Sequence, residues 1–198
     1  MAKRKEKKIK LNTGEKIKPR GGIIKTALAW TVECAIIILI AFAVVYFWGQ
    51  QRINVGPSMD PTLLNGDKVL VNSLSYKFSG PKRNDIIVFK PNGNDSTYSY
   101  VKRVIGITGD TIQIIEGVLY VNDEVYQDVV DVPLMYTAGL AAEPVYVGEG
   151  EVFVLGDSRN NSEDSRSADI GNVQMEHIEG KAWFVISNGD FRLLKEKE

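Results

Sequence analysis

The stretch Tyr100-Val101-Lys102-Arg103-Val104-Ile105 sets two adjacent cations inside an apolar, β-branched run. That composition is a strand's. Alternation along a strand puts Lys102 on one face with Tyr100 and Val104, and Arg103 on the other. An amine among apolar side chains is either an edge lysine that snorkels to water or a desolvated one, and spacing alone allows both. Arg103 is free to reach solvent or to pair with a carboxylate.

Outward from this segment the same composition recurs. Residues 68–72, 85–89, 151–155 and 181–187 are short runs rich in β-branched and aromatic residues, bounded by Gly, Asn, Asp or Pro. Residues 111–115 and 118–121 flank Glu116-Gly117, a hairpin signal, and Asn122-Asp123 offers the next turn. In 181–187, Ala182, Phe184 and Ile186 alternate against Trp183 and Val185. Helix is scarce here, with single turns expected near Met59–Leu63 and Gln174–Ile178. The expectation is a mainly β fold for residues 49–198, with a small inserted β-hairpin subdomain at about residues 107–150.

The N-terminal part is of another kind. Residues 27–48 are apolar except for Thr31 and Glu33. As a helix they would span about 33 Å, enough for a bilayer core. Glu33 lies within two turns of the N-terminal end, where it can reach the headgroups or be protonated. Trp30 at one end, and Tyr46, Phe47 and Trp48 at the other, suit the two interfaces. The run leaves through Val45-Tyr46-Phe47-Trp48-Gly49-Gln50-Gln51 without a small-x-small cleavage signature, so an uncleaved anchor over 26–48 is expected rather than a removed leader.

Net charge supports one orientation. Residues 1–25 hold ten Lys/Arg against Glu6 and Glu15, a balance of +8, whereas the remaining residues carry −9. A basic tail before the helix stays in the cytoplasm, which puts the acidic domain outside the cell membrane. The tail's position favours topology and anionic lipid over a nucleic-acid arm, and no nucleic-acid partner is expected. The lone Cys34 is inside the anchor. The outer domain therefore has no disulfide and no thiol chemistry, and must rely on packing.

Three groups of residues can do chemistry. Gly56-Pro57-Ser58-Met59-Asp60-Pro61-Thr62-Leu63 sets a serine on a corner, where glycine permits unusual angles and proline fixes φ. Exposed backbone N–H groups at such a corner can hold an oxyanion, although an ordinary Pro-Ser turn is the simpler account of this stretch alone. A serine nucleophile needs a proton acceptor, and the chain has a single histidine, His177, in Met175-Glu176-His177-Ile178-Glu179-Gly180. It has no partner pattern around it, which favours a surface or packing role. A desolvated Lys102 is the substitute base. The third group is Gly156-Asp157-Ser158-Arg159-Asn160-Asn161-Ser162-Glu163-Asp164-Ser165-Arg166. It reads either as a polar loop with Asx turns or as a brace, with Ser162 orienting the amine and Asp164 paired to Arg166. One histidine and no outer cysteine give no zinc set, and neither metal nor cofactor is expected.

Taken together, these segments resemble the ordered boxes of bacterial type I signal peptidases. Ser58–Leu63 resembles the nucleophile box, and 66–72 the strand after it. Lys102-Arg103-Val104-Ile105-Gly106 with Gly109-Asp110 resembles the lysine box, and 156–166 the final polar box. The resemblance runs in register over most of residues 26–187. It implies a membrane-bound serine endopeptidase that removes signal peptides from secretory preproteins through an acyl-enzyme. The fold would be that of the signal peptidases and self-cleaving repressor peptidases. Ser58 would be nucleophile and Lys102 general base, then acid. Ser162 would hydrogen-bond Lys102, Asp164 and Arg166 would form a structural pair, and Asp157 would support the loop.

By the same resemblance Ser58 and Gly56 mark the oxyanion hole. Gly56 stands where Gram-negative members supply a hydroxyl, as in many Gram-positive members, so a second donor is needed beside the Ser58 N–H. Ser158 stands where the family often has Asn. Small residues, typically Ala, are expected one and three positions before the cut. Val55, Met59 and the apolar strand 86–88 are the candidate pocket residues, with Met59 and the aromatic cluster 46–48 as contacts to lipid. Translocation machinery is a further partner. The rival readings are a Ser/Lys self-processing or specialised peptidase of this fold, and a non-catalytic anchored β-module.

Overall fold

The computed structural model describes residues 21–48, 50–94, 98–187 and 189–194. The basic tail of residues 1–20 lies outside them, and so does the expected topology signal it carries. The chain divides into two units, residues 1–42 and 43–198. Helix α1 covers Gly21–Trp48, and within it Lys25–Tyr46 is long and apolar enough to cross a membrane. The Thr26 and Thr31 hydroxyls donate back to the carbonyls of Gly22 and Leu28, at 2.9 and 2.8 Å. That removes their polar cost in an apolar surrounding.

The second unit is built of antiparallel sheet. Its strands are β1 (Gln50–Ile53), β2 (Lys68–Asn72), β3 (Ile86–Phe89), β4 (Tyr100–Gly106), β5 (Thr111–Ile115), β6 (Val118–Val121), β7 (Glu124–Val125), β8 (Val145–Tyr146), β9 (Glu151–Leu155), β10 (Val173–Gln174), β11 (Ile178–Ser187) and β12 (Asp190–Leu193). A short helix, α2, covers Ser75–Phe78. The large sheet has the order β1-β2-β11-β3-β4-β9-β10, with β12 also paired to β11. The small sheet has the order β7-β6-β5-β8. Its turns are left-handed: Gly117, Asn122 and Asp123, residues that favour this region, have φ of 80°, 56° and 66°, and Glu116 joins them at 51°. Two consecutive positive φ values match the right-handed twist of a tight hairpin.

Three apolar clusters hold these layers. Met59 and Leu63 pack with Val69, Val71, Ile86, Val88, Val101, Ala182 and Val185 on one face of the large sheet. Ile87, Phe89, Val104, Val152 and Val154 pack on the other. Ile105, Phe153 and Leu155 join Ile112, Ile114 and Leu119 of the small sheet. Strand β4 reaches all three clusters because its register shifts between Val104 and Gly106, and this bulge re-aims Ile105.

Two expectations are corrected by this packing. Strict alternation in 181–187 fails: Ala182 and Val185 are both buried in one cluster, because the pairing to β2 shifts register at Trp183. Met59 neither lines a pocket nor meets lipid. It is fully buried, and its backbone carbonyl accepts from Leu63 N–H at 2.8 Å.

Candidate active site

Ser58 rides on the loop between β1 and β2, and buried polar groups fix that loop. Asn54, 2% exposed, donates its amide to the carbonyls of Leu63 and Leu64, at 3.3 and 3.0 Å. Its backbone pairs with Asp67 and Gly66, each at 2.8 Å. Gly56 turns the chain at φ +87°, and its N–H donates to Asn65 Oδ1 at 2.8 Å. Met59 and Leu63 are anchored in the core just beyond. The serine is thus held by its neighbours on both sides.

Lys102 arrives from β4. Its cross-strand partner is Ile87, and its Nζ lies 5.2 Å from the centre of the Tyr100 ring. The residue is 4% exposed, and its Nζ donates to Ser58 Oγ at 2.7 Å. Burial lowers its pKa from 10.5 to about 8, against the opposing pull of Asp164, Glu163 and Asp157. Desolvation wins because no carboxylate reaches the amine among the described residues' ion pairs. A neutral amine within hydrogen-bond reach of a hydroxyl is the geometry of a general base and its nucleophile.

The polar loop after β9 closes behind this pair. Ser158 N–H donates to the Ser58 carbonyl at 3.1 Å. At Gly156 a β-carbon would stand 2.4 Å from that carbonyl oxygen and 2.2 Å from Ser162 Oγ, so only glycine admits the approach. Asp164 and Arg166 form a two-bond ion pair, at 2.8 and 2.9 Å, and Asp164 also takes the Gly156 N–H at 3.0 Å. Asp157 receives Arg103 through Nε and Nη2, at 2.7 and 2.6 Å, and the Thr62 hydroxyl at 2.5 Å.

Two further expectations meet a different arrangement. Ser162 does not bond Lys102. Its Oγ is buried without a partner among the described residues, because the amine is turned to Ser58 and the hydroxyl is tucked against Gly156. Gly56 does not offer an oxyanion donor, since its N–H is taken by Asn65, whereas the Ser58 N–H donates to no other described group. Val55 lines the cleft beside Ser58, while Ile86, Ile87 and Val88 are core. His177 does not line this cleft; it packs against Gly93 on a single helical turn.

The sequence profile described as "Signal peptidase, peptidase S26" matches residues 27–187. The chain belongs to the signal peptidase family. A signal peptidase IB of Staphylococcus aureus (strain Mu50 / ATCC 700699) is 34% identical over 180 residues, covering 81% of this chain and 89% of that protein. A probable signal peptidase I-2 of Synechocystis sp. is 32% identical over 151 residues, covering 74% of this chain and 66% of that protein. The crystal structure of a signal peptidase I from Enterococcus faecalis V583 shares 30% identity with it, covers 52% of this chain and 97% of its own, and aligns with a TM-score of 0.42. As a signal peptidase the protein is a peptidase, and its apolar α1 is a candidate membrane anchor.

Three elements of this signal peptidase's site were not readable beforehand. Arg103 is buried and committed to Asp157 and Thr62, which ties the strand of the lysine to the loop of the serine. Asn54 fixes that loop from a position that looks like any polar residue after a strand. Arg159, 1% exposed, pairs with Asp128 and donates to the Gly156 carbonyl at 3.1 Å. For Arg103 the available signal was its position in an apolar run; Arg159, in a polar loop, had none.

Proposed function

We propose that this signal peptidase removes N-terminal signal peptides from secreted preproteins with Ser58 as nucleophile and neutral Lys102 as general base. The observation that carries the reading is the desolvated Lys102 Nζ within hydrogen-bond reach of Ser58 Oγ, at 2.7 Å. The reaction follows from that contact. Lys102 Nζ takes the Ser58 hydroxyl proton as Oγ bonds to the scissile carbonyl carbon. The resulting oxyanion meets the Ser58 N–H, and collapse breaks the C–N bond while Lys102 returns its proton to the leaving amine. Lys102 Nζ then deprotonates a water that adds to the ester carbonyl; collapse breaks the C–Oγ bond, Lys102 returns the proton to Ser58 Oγ, and the signal peptide leaves with a carboxylate terminus.

The remaining residues position this pair. Asp157 with Arg103 and Thr62 links β4 to the serine loop, and Asp164 with Arg166 sets the backbone around Gly156. Ser162, whose hydroxyl has no partner among the described residues, is the proposed acceptor for the amine if the side chains turn once it carries the proton. The charge asymmetry of the chain supports a cytoplasmic N-terminus and an extracytoplasmic catalytic domain, and the short spacing from Trp48 to Ser58 supports substrates cut near the outer leaflet. Lipid and the translocation machinery are then its neighbours. The test is to incubate the detergent-solubilised chain with a signal-bearing precursor and map the cut by mass. One cut at the end of the signal region, lost in Ser58→Ala, is the expected result. A cut that survives in Ser58→Ala defeats the assignment.

A further inference from the structure

The cleft beside Ser58 has a volume of about 250 Å³ and is walled by Val55, Tyr98, Tyr100, Glu163 and the reacting pair. Among its described lining residues only Lys102 and Glu163 carry charge near neutral pH. Lys102 acts as a base only when uncharged, so Glu163 is then the single formal charge on the wall. That carboxylate is held in place. Its Oε2 accepts from the Tyr100 hydroxyl at 3.1 Å, and the Tyr100 ring is fixed edge-on against Phe89 with centres 6.0 Å apart. From below, the neighbouring Asp164 is buried and bonded to Arg166 and Gly156. Glu163 itself is exposed and has no ion-pair partner among the described residues, so a cation brought by a bound peptide can meet it.

We propose that Glu163 is a specificity residue of this peptidase: its carboxylate selects preprotein segments with a basic or neutral side chain where they cross the Tyr100 wall, and disfavours acidic ones. The inference rests on the reading that Ser58 and Lys102 cut peptides lying in this cleft. A single exposed and screened charge gives a preference of about fivefold, which shrinks as salt rises.

The test uses the full-length chain in detergent and peptides that differ at one residue, Lys, Gln or Glu. The change is moved through each position from the fifth before the cut to the third after it. At one or more positions kcat/KM for the Lys peptide exceeds that for the Glu peptide about fivefold. Glu163→Gln brings that ratio close to one, Glu163→Lys inverts it, and added salt lowers it in the unaltered chain. A ratio indifferent to both substitutions and to salt overturns the proposal. Should Glu163→Lys not fold, Glu163→Gln and the salt series decide alone. Ser58→Ala is run beside them: loss of cleavage there with an indifferent ratio overturns charge selection only. Cleavage retained there overturns the nucleophile and this inference with it.

Discussion

The two faces of β4 bury adjacent cations to the same degree and give them opposite partners. Arg103 is 5% exposed and meets the Asp157 carboxylate through two nitrogens. Lys102, next in line and 4% exposed, meets a neutral hydroxyl. A buried charge is tolerated when it is paired and fully hydrogen-bonded. Without an anion in contact, the same burial instead favours the uncharged form, and that is the form a base needs. One strand therefore carries an ion-paired cation on one side and, on the other, the desolvated amine proposed as the base.

Removing the amine has the largest expected effect. In Lys102→Ala, acylation of Ser58 should fall by about 10²–10⁴-fold, the usual worth of a general base. A serine-reactive acylating probe followed by mass measures it, and near-normal labelling would show that the hydroxyl is activated otherwise. Next comes the other face. Asp157→Asn leaves Arg103 buried beside a neutral amide and should destabilise the domain by about 3–5 kcal/mol. Urea unfolding in detergent reads this, and a loss under about 1 kcal/mol would mean the arginine finds solvent or another partner.

A smaller effect of opposite sign sharpens the contrast. The folded chain holds Lys102 neutral at pH values where the unfolded chain protonates it, from about 8 up to 10.5. The resulting destabilisation is absent above 10.5, grows as pH falls to about 8, and stays constant below that. At full size it corresponds to roughly 3 kcal/mol. Lys102→Met should therefore be inactive yet more stable at pH 7 by up to that amount, with the gap closing as pH rises toward 10.5. A variant less stable than the parent at pH 7 would mean that the hydrogen bond to Ser58 outweighs the desolvation.

How much of this the sequence revealed depended on the kind of interaction. Lys102 and Ser58 were singled out by the ordered boxes they share with the family, since the local residues alone also allowed an edge lysine and an ordinary Pro-Ser turn; the structure brings the two side chains together. The pairing of Asp164 with Arg166 was legible at a spacing of two. Arg103 to Asp157 was not, because a contact across 54 residues has no local signature. The turns at Glu116-Gly117 and Asn122-Asp123 could be read from Gly117, Asn122 and Asp123, whose residue types favour the positive φ found there. The bulge at Trp183 could not, because a register shift is decided by β2 and by the core beneath. For the same reason Met59, adjacent to Ser58, proved to be core and not cleft: the loop's direction is set by Asn54 and by packing.

The pH dependence of Ser58 acylation in the intact chain tests a buried lysine base most directly. The rate should rise as pH increases through about 8 and level off above, as Lys102 loses its proton. A rate that is flat from pH 6 to 10, or one that saturates near 6.5 as an imidazole would, contradicts a buried lysine as the base.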